Sequence, residues 1–375
     1  MFMDVSSEMI HALLPIFLAS TLGATAALIG LIEGVAQGTA SIVRVFSGVI
    51  SDRTGRRKRL AVIGYGLGAL AKPVFALAAT PFAVFGARFV DRIGKGLRGA
   101  PRDALVADVT PDSSRGAAFG LRQALDTVGA LGGPLLAILL LAAAGGEMRI
   151  VFAAASIPAA IAVALLVFGV EEPKSRGEGA APSGPRFQLA VLRTLGSPFW
   201  TVTAIGAVFT LARFSEAFLI LRAQEVGLPI GLAPLVMIAM NLVYSLTATP
   251  AGSLSDRVDR RLVLASGLAV LVVADLVLAR FASVAGVLIG AGLWGLHMGL
   301  SEGLFAAMVA DTAPARLRGT AFGLFHLVAG VALFLASFVA GLLWQHVGSA
   351  ATFVCGAAFS CLALAAMLIQ IWRES

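Results

Sequence analysis

The sequence predicts an all-α membrane protein of twelve transmembrane helices, arranged as two pseudo-symmetric halves of six. Three observations predict it. Of the 375 residues, 58% are hydrophobic and 13% charged, with a mean hydropathy of +0.92, and the apolar stretches reach the roughly 20 residues a helix needs to cross a bilayer. Those stretches number twelve, starting near residues 2, 25, 60, 81, 115, 148, 198, 229, 262, 283, 317 and 349. The chain also repeats itself: ALVADVTPDSSRGAAFGL (104–121) returns as AMVADTAPARLRGTAFGL (307–324), and SGVISDRTGRR (47–57) as AGSLSDRVDRR (251–261), at offsets of 203 and 204.

Each segment takes its place from the breaks around it. The breaks after even-numbered segments hold SDRTGRRKR, SRGEGAAPSGPR, SDRVDRR, APARLRG and the terminal WRES, whereas the other breaks hold chiefly Arg149 and Arg280. Basic loops stay in the cytoplasm, so both termini are expected there, in a bacterial inner membrane. This accounts for much of the net charge of +7 without a nucleic-acid partner. The longest polar stretch, 171–197, reads as a cytoplasmic linker between halves at 1–170 and 198–375. Helices rather than barrel strands follow from 42 glycines in continuous apolar runs with no alternation. The first segment has no basic leader and carries Asp4 and Glu8, so it reads as a retained span. Residues 2–21 barely suffice to cross, which leaves either a short helix or a chain that starts upstream of Met1. Cys355 and Cys361 lack metal-ligand spacing, and neither metal nor cofactor is expected.

The fourth segment is the exception to the apolar rule. RFVDRIGKGLRGAPRDALVAD (88–108) packs five basic and three acidic residues. At 100° per residue, Arg88, Asp91, Arg92, Lys95 and Arg102 share one face, with Arg98 at its edge. Charges at the bilayer centre cost at least about 2.5–3.5 kcal/mol each, so this stripe must meet water, partners or ligand. Arg98 and Arg102, near the cytoplasmic end, are expected to snorkel. Asp91 is expected to pair with Lys95 or Arg88. The glycines of GKGLRG (Gly94, Gly96, Gly99) match a dinucleotide fingerprint formally but lack its βαβ setting.

GVISDRTGRRK resembles the G-x-x-x-D-R-x-G-R-R signature between helices 2 and 3 of the major facilitator superfamily, and its reappearance after helix 8 matches that family's duplication. DVSSEM in helix 1 and DRIGKGLRGAPRDAL in helix 4 further resemble a bacterial permease subgroup. The resemblance implies alternating access between two halves, with helices 1, 4, 7 and 10 lining a central cavity. It also implies a gate formed by Gly48, Asp52, Arg53, Gly55, Arg56 and Arg57 with Asp108, and by Asp256, Arg260 and Arg261 with Asp311. The second copy departs by carrying Asp259 where the first has Gly55. The bland reading is that these arginines only set topology. Gly120, Gly129, Gly133 and Pro134 of helix 5 resemble an antiporter motif without its closing glycine pair, and packing alone is the competing account.

These implications place a substrate against Arg88, Asp91, Arg92 and Lys95 on one side. Trp294 and Met298, read from helix 10 at offset 203, face them as an apolar wall. Glu8, then Asp4 and Glu216, are the candidate proton-coupling carboxylates, against a role as static counter-ions of the stripe. Lone histidines such as His11, His297 and His326 read as packing residues. The expectation is a monomeric secondary transporter, not an enzyme, exporting small amphipathic or anionic compounds against protons. Uptake of an organic anion, a lipid-handling protein and a non-transporting member are the alternatives.

Overall fold

The computed structural model describes residues 1–54, 56–109, 115–171, 195–255, 257–312 and 318–374. Among them run twelve helical spans and no strand. The first half comprises α1 (Phe2–Thr21), α2 (Ala26–Thr54), α3 (Arg57–Leu77), α4 (Pro81–Val109), α5 (Arg115–Ala143) and α6 (Met148–Gly169). The second comprises α7 (Ser197–Glu225), α8 (Ile230–Ser255), α9 (Arg260–Arg280), α10 (Val284–Thr312), α11 (Arg318–His346) and α12 (Ser349–Glu374). Eleven contain a stretch long and apolar enough to cross a membrane. The twelfth, α4, is 29 residues long and carries the charged stripe. Leu77, Phe82 and Phe168 are 75–87% exposed, as the lipid-facing side of a bundle requires and a water-facing one would not tolerate in quantity.

The repeat seen in sequence recurs in the turns. Gly23 after α1 and Gly227 after α7 both adopt φ above +60°, a left-handed conformation nearly free of cost only for glycine, and they lie 204 residues apart. Packing repeats as well: α4 lies against α2 and α3, and α10 against α8 and α9. Between the halves, α2 packs along α11 and α5 against α8. The first seam is close because glycines face backbone: a Cβ on Gly30 would clash with the Ser337 carbonyl oxygen, and one on Gly341 would lie 2.6 Å from that of Ala26. Gly94 and Gly96 of the formal fingerprint serve the same purpose, packing on Gly64 of α3 and Ala40 of α2.

Two apolar clusters hold the bundle. The larger joins both halves near the Gly23 and Gly227 turns, with Phe17, Ile29, Phe152 and Phe218 fully buried. Trp344 packs on Phe218 at 5.5 Å. The smaller belongs to the second half alone, around Phe199, Phe305 and Phe325. Most of the stretch expected as a linker lies outside the described residues. So do Gly55 and Asp256, the side chains of Asp52, Arg53, Asp108 and Asp311, and the surroundings of Gly120.

Candidate transport cavity

Two broken helices frame the centre of the bundle. In α1, Pro15 has no N–H to return to the His11 carbonyl, and the helix continues through a wider turn at Phe17–Thr21. In α7, residues 213–216 interrupt the helix between Ser197–Ala212 and Ala217–Glu225. There Arg213 Nη1 reaches Glu302 Oε1 of α10 at 2.8 Å, and the Ser215 N–H donates to Ser337 Oγ of α11 at 3.1 Å. Glu8 precedes Pro15 by two turns and Glu216 opens the half-helix after the second break. Interrupted helices at mid-depth are where transporters place charged ligands.

Between them lies a cavity of about 200 Å³. Its polar lining is Glu8 and His11 of α1, Gln37 of α2, Arg92 and Lys95 of α4, Glu216 of α7 and Asn241 of α8. A second, apolar groove of about 80 Å³ lies between α7, α11 and α12 and offers almost no polar contact.

The α4 stripe divides into two classes. Arg88 donates to Glu33 Oε2 of α2 at 2.8 Å, and Asp91 accepts from Lys72 Nζ of α3 at 2.7 Å. All four side chains are at most 4% exposed. Arg88 and Asp91 are thus committed to closed buried pairs that tie α4 to its neighbours, and neither lines the cavity. Asp91 pairs with Lys72 rather than with Lys95 or Arg88, because α3 presents an ammonium directly beside it. Arg92 and Lys95 do line the cavity. The acid nearest Arg92 is Asp91, at 3.9 Å, and Arg92 Nε has no hydrogen-bond partner among the described residues. Lys95 has no ion-pair partner within 4.0 Å among them, and neither has Glu216. Arg98 does not snorkel outward; it is buried with its guanidinium 4.9 Å over the Tyr65 ring. Arg102 pairs with Asp103 at 3.1 Å.

Of the candidate coupling carboxylates, Glu8 and Glu216 face the cavity. His11 Nδ1 stands 3.5 Å from Glu8 Oε2, and its Nε2 3.9 Å from Glu33 Oε2, so His11 lies between the cavity acid and the Glu33–Arg88 pair. Asp4 lies outside the lining, 2.9 Å from the Met1 amino group. Gly129 and Gly133 of α5 abut α1 where these acids sit: a Cβ on Gly129 would lie 2.7 Å from Asp4 Cβ, and one on Gly133 2.6 Å from Glu8 Cβ. Trp294 and Met298 are buried in the larger apolar cluster that joins the halves rather than at the cavity. The α7 break delivers Phe214 against Trp294, ring centroids 5.2 Å apart, which turns the indole away.

The sequence reading passed over Lys72, Gln37 and Asn241. Gln37 and Asn241 are 204 residues apart, the offset of the repeat, and Lys72 is a lone ammonium in the apolar run LGALAKPVF; either signal could have found them.

The Major Facilitator Superfamily model matches residues 1–221 and 211–375. The chain belongs to the major facilitator superfamily. It is 32% identical over 349 residues to an MFS-type transporter of Methanocaldococcus jannaschii, covering 91% of this chain and 85% of that one. Shorter similarity, 29% over 194 residues, or 50% of this chain and 48% of the relative, links it to the multidrug resistance protein MdtH of an Enterobacter species. Among solved structures, the nucleoside transporter NupG aligns with a TM-score of 0.79 at 14% identity, over 99% of this chain and 96% of that one. A bacterial homologue of the human lysosomal transporter Spinster, inward-facing and occupied, aligns at 0.78 and 14%, over 98% and 93%. These solved structures share the fold. As a superfamily member the chain is a multi-pass membrane transporter of a small molecule, and the cavity between its broken helices is the place to look for that molecule.

Proposed function

We propose that the protein is a proton-coupled secondary transporter of the bacterial inner membrane, with both termini in the cytoplasm. It exports a small organic compound bearing an anionic group by rocking its halves about the central cavity. One observation carries the reading: Arg92 and Lys95 are two cations at membrane depth that face a cavity, Arg92 with no acid closer than Asp91 at 3.9 Å and Lys95 with no ion-pair partner within 4.0 Å among the described residues. A buried charge held only loosely by its neighbours is costly, and an anionic ligand supplies the close contact that Arg92 and Lys95 lack. Glu8 carries the proton, since it faces the same space with His11 beside it at 3.5 Å. Export is favoured by the helix 5 motif and by the likeness to a multidrug resistance protein. The gate is assigned to the loop motifs, Gly48–Arg57 and its copy ending at Arg261.

The test is flux in proteoliposomes under an imposed pH gradient. Anion flux should follow the gradient in the export direction, fall at least about tenfold in Arg92→Gln, and lose gradient dependence in Glu8→Gln while exchange persists. Equal losses for anionic and neutral analogues in Arg92→Gln would overturn the anion site. Gradient-driven flux of the opposite sign would make the protein an importer.

A further inference from the structure

Resting on that cavity reading, we infer that the substrate is a small zwitterion: its anionic group meets Arg92 and Lys95, and a cationic amine, held by Glu216, faces them across the cavity. The lining carries two cations, Arg92 and Lys95, and two carboxylates, Glu8 and Glu216. With histidine neutral, those charges cancel. A purely anionic ligand would leave one carboxylate facing unbalanced negative charge, whereas a zwitterion keeps the sum at zero and matches both signs.

The two carboxylates are not equivalent. Glu8 has His11 at 3.5 Å. Glu216 has no ion-pair partner among the described residues: Arg213, three residues before it, is drawn off to Glu302 by the α7 break. Glu216 is therefore the open acceptor, and it opens a half-helix on the opposite half from Arg92 and Lys95. A ligand that joins α4 to α7 ties the two halves together through its own two charges. Gln37 and Asn241, related by the repeat, add neutral donors and acceptors to the lining. Neither Trp294 nor Met298 contributes a greasy wall, so a charged and compact molecule suits the space better than an amphipathic one.

The experiment uses the purified full chain and matched compounds: ω-amino acids of two to six carbons, the carboxylic acids lacking the amine, and the amines lacking the carboxylate. Binding is read as a concentration-dependent rise in melting temperature. At one or more chain lengths the amino acid should bind at least about tenfold more tightly than either partner compound. In Glu216→Gln that advantage should vanish while carboxylate binding persists, and in Lys95→Gln both should weaken. Should the simple carboxylates bind wild type as well as the amino acids do, the zwitterion assignment is overturned, and the anion-site reading survives if Lys95→Gln still weakens them. No stabilisation by any member of the three sets, or stabilisation that neither variant alters, would overturn both. The wild-type ranking decides the first question even if a variant does not fold.

Discussion

Replacing Gly133 with alanine tests whether the helix 5 motif acts by fixing the position of α1. The added Cβ would lie 2.6 Å from Glu8 Cβ, 2.8 Å from the Val5 carbonyl oxygen and 3.1 Å from the Met9 nitrogen, and ordinary contact begins at 3.4 Å. Two of the three obstacles are backbone, so no rotamer change relieves them, and α1 must move by about 0.8 Å or more, the difference between 3.4 and 2.6 Å. Overpacking of this kind costs about 1–3 kcal/mol. The displacement falls on Glu8 and, a turn later, His11, both in the cavity lining. Gly132 supplies the control, because a Cβ there meets only Val5 Cγ2 at 3.9 Å. Gly132→Ala should transport as wild type, while Gly133→Ala should melt lower and lose roughly tenfold in gradient-driven flux, equivalent to about 1.4 kcal/mol. Flux per folded molecule in proteoliposomes and melting in detergent measure the two effects separately. Should both alanine variants transport alike, or should Gly133→Ala lose stability alone, the motif would be packing without consequence for the cavity.

Three further outcomes follow from the same contacts. Arg88→Ala leaves Glu33 buried without its guanidinium and should cost about 3–5 kcal/mol; adding Glu33→Ala should recover a large part, as a double-mutant cycle on thermal unfolding would show. Lys72 and Asp275 occupy equivalent positions at offset 203, yet Lys72 holds Asp91 while neither carboxylate oxygen of fully buried Asp275 has a partner among the described residues. Lys72→Leu should therefore destabilise, whereas Asp275→Leu should stabilise by about 1–3 kcal/mol; a fall in melting temperature for Asp275→Leu would show that the carboxyl has a role. Asp259 caps α9, its Oδ1 accepting the Arg261 N–H at 2.9 Å, and that hydrogen bond holds its carboxyl below the ordinary value. A depressed folded-state value means the cap's contribution is complete above about pH 4 and lost as pH falls below it. Asp259→Ala should cost about 1 kcal/mol at neutral pH and close to nothing in acid, where wild type has itself lost the contribution, as melting curves at both pH values would show.

Much of the fold was legible because a bilayer writes its thickness into the chain. Twelve segments became twelve helices, eleven of them with a stretch long and apolar enough to cross a membrane. The repeat offset reappeared in the turns at Gly23 and Gly227. The cavity was only half legible. Helical periodicity places Arg88, Asp91, Arg92 and Lys95 on one face and goes no further, since which of them is neutralised depends on what α2 and α3 bring alongside. Glu33 and Lys72 decide that, and both belong to neighbouring helices. Trp294 was misplaced for a related reason: the interruption of α7 at 213–216 has no proline or glycine to announce it, and it is this break that lets Phe214 reach the indole.

The repeat itself shows why the two halves need different chemistry. At offset 203, the Lys72–Asp91 pair of the first half corresponds to Asp275 and Trp294, and Arg92 and Lys95 correspond to Gly295 and Met298. The second half keeps the backbone plan and discards the cations. Gly295 packs so closely on the Met240 carbonyl of α8 that no side chain fits there, so α10 cannot present a counterpart to Arg92 without parting from α8. The cations that face the cavity therefore come from α4, and the second half answers with Glu216 across the space. A site whose cations lie on the first half and whose open carboxylate Glu216 lies on the second is occupied most favourably when the halves close on a ligand bearing both signs, which links recognition to the rocking motion. Substituting Gly295 with Arg to restore the symmetry should thus abolish folding or transport rather than enhance it, and a well-folded, active Gly295→Arg variant would refute this account of the asymmetry.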